Sequence, residues 1–132
     1  MYVKMKEAGE VLVLEPHGKL FLGKPQTVFE KAVQDVLDDG HAKIVLDLRG
    51  VPAIDSNGIA SIVKCCYHRA RSRGAEVKAV IPRTSSLNLY VRFCIMKLLG
   101  AHETVLGAAA AFTKRRRSGA RPGAGSAREY DA

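Results

Sequence analysis

The chain has 132 residues, 47% of them apolar, which suits one domain of ordinary size with a hydrophobic core. No apolar run reaches the eighteen residues that a membrane span needs. The stretch from Met1 to Glu7 lacks the apolar segment of a secretory signal, so the expected location is cytoplasmic. The net charge is +8, but from Lys114 onward six Lys or Arg face only Glu129 and Asp131, so half of the excess sits in that tail and does not by itself imply a nucleic-acid partner.

The first elements read as a hairpin. Val3 and Met5 alternate with Lys4 and Lys6, Ala8-Gly9-Glu10 supplies a turn, and residues 11–15 form a more central strand ended by Pro16 and Gly18. A helix is expected to start near Pro25, with Val28, Phe29, Ala32, Val33, Val36 and Leu37 on one face and Gly40 as its C-terminal stop. Residues 43–48 read as a buried strand. The best helix covers about 56–73, where Ile59, Ile62, Val63, Cys66, Tyr67 and Ala70 make an apolar stripe. Residues 76–81 form another strand, stopped by Pro82.

A helix is expected over 84–94, then a short edge strand at 104–106 and a last helix over 108–117. Beyond about Ser118 the Gly, Ala, Ser and Pro content predicts disorder. The result is an α/β domain over 1–113, with a mixed β-sheet of about five strands and helices mainly on one face, followed by a basic tail over 114–132.

The three cysteines, Cys65, Cys66 and Cys94, include no CxxC pair. They read as buried free thiols, with adjacent Cys65 and Cys66 facing different ways on their helix. Four scattered histidines form no zinc spacing, and no GxSxG, Walker A or GxGxxG sequence occurs. His68 lies about 18 Å along the helix from Ser56, too far to act as its base. Neither catalysis nor a metal or cofactor is expected.

Chemistry concentrates instead at Asp55-Ser56-Asn57-Gly58, between the buried strand and the best helix. Asp55 or Ser56 can accept hydrogen bonds from the first helical N–H groups, and Gly58 permits close approach. The positive end of the helix favours an anion there, so a phosphate added at this point is tolerated by the chain itself while it repels an acidic or apolar partner. Capping alone also accounts for these residue types.

The pattern Ile44-Val45-Leu46-Asp47-Leu48, then Ile54-Asp55-Ser56-Asn57-Gly58-Ile59, with Gly74, Val77, Ala79 and Ile81 beyond it, resembles the STAS domain over residues 1–113. That domain is shared by bacterial anti-sigma factor antagonists and the cytoplasmic ends of sulphate transporters. The resemblance implies partner switching in signal transduction and transcription regulation. The antagonist binds an anti-sigma factor, usually a serine kinase, and frees a sigma factor; phosphorylation of the motif weakens the grip. The family acceptor is the third motif residue, here Asn57, and an amide cannot accept a phosphoryl group. Asp55, Ser56 and Gly58 match the motif. Either Ser56 takes the phosphate or the protein is not switched in this way, and the second is the expectation. The docking surface is then Asp55, Ser56, Asn57 and Gly58 with the exposed helix side that carries Lys64 and His68. Alternatives with the same fold are a constitutive subunit of a stressosome-like or lipid-transport ABC complex. Nucleic-acid contact through 114–117 is a further rival, one that lacks any base-reading element.

Overall fold

The structure, a computed structural model, describes residues 1–114. Strands β1 (Tyr2–Ala8) and β2 (Val11–His17) form the hairpin, and α1 (Lys24–Asp38) leads to β3 (Lys43–Asp47). The next helix is α-helical over Ser56–Ser61, π-helical over Ile62–Arg69 and α-helical again over Ala70–Ser72; the whole run is α2. Then come β4 (Glu76–Val80), α3 (Leu89–Leu99), the two-residue β5 (Ala101–His102) and α4 (Val105–Lys114).

The sheet order is β1-β2-β3-β4-β5. β1 pairs antiparallel with β2 through the tight turn at Gly9, and the remaining pairs are parallel. Three successive crossovers of one hand place α1, α2 and α3 on the same face. Leu12, Leu14, Ile44, Leu46, Val77 and Ala79 point into that side, where Phe29, Val33, Val36, Ile62 and Ile95 meet them. The opposite side of the same strands presents Val11, Val13, Val45 and Val80 to Ala108 and Phe112 of α4. Coverage on both faces explains why β2 and β3 read as continuous apolar runs rather than alternating ones.

Most of the expected elements are present, and the differences have local causes. Pro16 does not end β2; it pairs with Val3, beyond the last β2–β3 pair at Leu14, so no partner strand needs the N–H that proline lacks. The helix expected from 84 begins at Leu89, because Asn88 caps it by accepting from the Val91 N–H at 2.9 Å. The residues before it are held as a turn, with the Ser85 N–H donating to the Pro82 carbonyl at 2.9 Å. The edge strand is Ala101–His102 rather than 104–106, since Thr104 opens α4 and its Oγ1 accepts from the Gly107 N–H at 3.0 Å. The tail expected to be disordered, apart from Lys114, lies outside the described residues.

Phe112 is the largest side chain that α4 inserts against the sheet. Phe112→Ala is expected to lower stability by about 3 kcal/mol in urea unfolding, the ordinary cost of emptying an aromatic core site. An unchanged midpoint would show that α4 contributes nothing to the fold.

Candidate partner-binding site

The strands β2 and β3 both continue past their regular ends into one corner. Leu20 bridges to Ile54 in parallel, the Leu20 N–H donating to Ala53 and the Asp55 N–H to Leu20. Asp55 then caps α2. Its Oδ1 accepts from the Gly58 N–H at 2.8 Å and its Oδ2 from the Leu22 N–H at 3.0 Å. One carboxylate thereby ties the loop after β2 to the first turn of α2, across 33 residues of sequence. The Leu22 N–H, with smaller help from Gly58 and Asn57, holds the Asp55 carboxyl below the usual carboxylate range.

Gly58 is buried in the same corner. A Cβ built on it would lie 2.3 Å from the Leu20 carbonyl oxygen and 2.7 Å from the Ile54 Cγ2. The glycine is therefore a packing requirement set by the neighbouring loop, independent of any ligand. Asp55 and Gly58 build the corner, while Ser56 is exposed and Asn57 half-buried at its surface.

The π-helical winding arranges the remainder of α2. Exposure along the helix repeats every four residues. Gly58 is buried against the Leu20 loop and Ile62, Cys66 and Ala70 in the core, and Ile59, Val63 and Tyr67 are all half-buried. Ser56, Ala60, Lys64 and His68 are all exposed. On a plain α-helix, residues four apart drift by about 40° per step. The wider turns, seen where the Ala70 N–H reaches back five residues to Cys65, offset that drift and keep the rows straight. Lys64 and His68 therefore share one exposed row with Ser56. Cys65 and Cys66 are both buried and face different ways, Cys66 in the sheet row and Cys65 on the α1 side. Burial pushes both thiols up, which leaves them poor nucleophiles. Cys94, also expected to be buried, is only half-buried, because it stands beside the inward row of α3 rather than in it.

A polar cluster that sequence reading missed supports the row from beneath. The buried Ser61 hydroxyl donates to the Glu30 carboxylate and accepts from the Gln26 Nε2 at 2.9 Å. The same Gln26 amide reaches the Asn57 carbonyl at 3.4 Å, and the Lys64 Nζ donates to Glu30 at 3.1 Å. Burial raises the Glu30 carboxyl, but the hydrogen bonds from Ser61 and Lys64 outweigh it, so the net shift is downward. In the α1 pattern Glu30 falls on the polar side, away from the apolar stripe, and the pairings span 31 to 35 residues and leave no local signal. His68 packs its edge on Tyr67, with ring centroids 5.1 Å apart, and the Arg71 guanidinium lies over the same ring at 5.0 Å. Among the described residues, no group of three His, Cys, Asp or Glu could hold a metal, and no helix is long and apolar enough to cross a membrane.

An antiparallel hairpin feeding a parallel sheet, with a capped Asp-Ser-Asn-Gly corner where β3 meets α2, defines an α/β protein of the STAS type. The chain belongs to the STAS domain family, whose sequence model matches residues 2–92. Its fold neighbours include a candidate anti-sigma factor antagonist from Thermotoga maritima, tm1081, at 25% identity and a TM-score of 0.72, with 86% of this chain and 95% of that one covered. An anti-sigma factor antagonist from Mycobacterium paratuberculosis aligns at 19% identity and a TM-score of 0.60, covering 83% of this chain and 91% of its own. The anti-sigma factor antagonist SpoIIAA in its unphosphorylated form aligns at 11% identity and a TM-score of 0.62, covering 85% and 97%. The last two likenesses speak for the fold alone. No curated protein matches the sequence.

Two outcomes are expected of the corner. Gly58→Ala is expected to cost about 1–3 kcal/mol in chemical unfolding, because the Leu20 backbone cannot rotate away from the new methyl group. The lowered Asp55 carboxyl stabilises the fold above its ordinary titration range, and that contribution is lost as pH falls through the depressed value. Thermal unfolding from neutral pH down into the acid range below the ordinary Asp value is therefore expected to show the gap between wild type and Asp55→Asn narrowing as pH falls. A constant gap across that range would mean that the Asp55 charge is not what the corner uses.

Proposed function

We propose that this chain is a non-enzymatic, protein-binding regulator of the anti-sigma factor antagonist type. Its partner is an anti-sigma factor of the serine-kinase kind, which it occupies so that a sigma factor is freed. The docking surface comprises Ser56 and Asn57, positioned by Asp55 and Gly58, together with the exposed row that continues through Lys64 and His68. The likeness to the Thermotoga maritima protein over nearly its whole length supports the class.

The observation that carries the reading is the uncharged side chain at residue 57, beside the ionised Asp55 carboxylate. Asn57 stands where the family places its phosphate acceptor, and its amide keeps a second charge away from Asp55. The surface is thus held permanently in the form that an unphosphorylated antagonist would present. Ser56 is exposed at the same helix start, yet the chain works without its modification. A constitutive subunit of a larger STAS complex shares this one favouring observation, the missing acceptor, and differs only in the partner.

Titration with purified serine-kinase anti-sigma factors from the source genome tests the reading. Asn57→Asp is expected to weaken binding by at least about tenfold, since a carboxylate beside Asp55 mimics the repelling state. Asn57→Ser is expected to bind like wild type and to gain phosphate at residue 57 when kinase and ATP are added. Wild type treated in parallel is expected to carry none by mass spectrometry. Phosphate on Ser56 of wild type, or equal affinity of wild type and Asn57→Asp, would contradict the proposal.

A further inference from the structure

We infer that the outer face of α3 is a second part of the docking surface and takes an apolar patch rimmed by carboxylates on the anti-sigma factor, an inference that rests on the reading of the chain as an antagonist. Helix α3 carries large apolar side chains both inward and outward. Val91, Ile95 and Leu99 are buried against the sheet, while Leu89, Tyr90, Phe93 and Met96 are 78%, 71%, 53% and 48% exposed. A single exposed leucine needs no explanation, but four large apolar side chains grouped on one short helix do. The inward row docks α3, and the outward residues lie off it.

The charges around this face select the occupant. No Asp or Glu occurs between residues 84 and 100, whereas Arg92 and Lys97 do. The Lys97 Nζ lies 5.7 Å from the centre of the Phe93 ring, so aromatic surface and cation are presented together. A second copy of the chain would bring the same cations against one another, and the chain's own basic tail would do the same. A carboxylate-rimmed apolar surface meets both features at once.

The face is also continuous with the corner. α3 packs against α2. The turn that leads into α3 is fastened to the loop before Asp55, the Ser86 hydroxyl donating to the Pro52 carbonyl at 2.9 Å. A partner seated on Ser56 and Asn57 thus has α3 beside it.

The same purified serine-kinase anti-sigma factors serve as probes, titrated with the full chain as wild type, Asn57→Asp, the double variant Tyr90→Ser/Phe93→Ser, and Lys97→Glu. The double variant is expected to lose at least about tenfold in affinity while its unfolding midpoint stays that of wild type, because exposed aromatic anchors carry binding rather than folding energy. Lys97→Glu is expected to weaken binding by a factor that shrinks as salt is added. Wild-type affinity in both α3 variants, with loss in Asn57→Asp, overturns this inference and leaves the corner reading intact. Failure of wild type to bind any probe overturns both. Sedimentation equilibrium of the chain alone, and flotation with phosphatidylcholine–phosphatidylglycerol vesicles, complete the test. Self-association or vesicle binding that disappears in the double variant, with anti-sigma affinity unchanged, also overturns the inference by assigning the face to a second copy or to lipid.

Discussion

The Asp55 carboxylate carries more of this structure than its place in sequence suggests. By accepting from Leu22 and Gly58 together, it fixes the loop after β2 to the start of α2, and the two strand ends become one surface. Gly58 completes the arrangement because only hydrogen fits against the Leu20 carbonyl. With these two residues committed to architecture, Ser56 and Asn57 are left at the surface of the corner. Any change of charge at either position is felt by a carboxylate that cannot move away without releasing the loop.

The winding of α2 converts that corner into an extended surface. A four-residue repeat aligns Ser56, Ala60, Lys64 and His68 in one straight exposed row. Lys64 is steadied by Glu30, and Glu30 by Ser61 and Gln26, which also touches the Asn57 carbonyl. Exposed ion pairs such as Lys64–Glu30 add little to stability. The buried side of the helix, from Ile62 to Ala70, supplies the rigidity that such positioning needs.

Much of this was legible in the residues. The hairpin, the two parallel strands and the first two helices follow from apolar periodicity and from Pro25, Gly40 and Gly74 as punctuation. The Asp-Ser-Asn-Gly corner was visible as a group of small polar residues at a strand end. The π-helical segment was not, because the same apolar stripe fits a 3.6-residue helix, and what separates the two is the backbone hydrogen bond from Ala70 to Cys65 together with the burial of Ser61 and Cys65. The start of α3 was misplaced because residues 84–87 carry no helix breaker, and the decisive signal is the single cap Asn88. β5 is too short for any pattern to reveal it. The Leu22–Asp55 and Gln26–Asn57 contacts join residues more than thirty positions apart, a distance over which one sequence alone gives no guidance.

Amide hydrogen exchange on the chain, alone and bound to an anti-sigma factor, bears most directly on the idea that a preformed corner, with an uncharged residue 57, is what the partner grips. Added protection is expected at residues 21–22 and 55–60, falling off along α2 toward residue 68. Protection gained only on the side of the sheet covered by α4, with residues 55–60 exchanging as before, would contradict it.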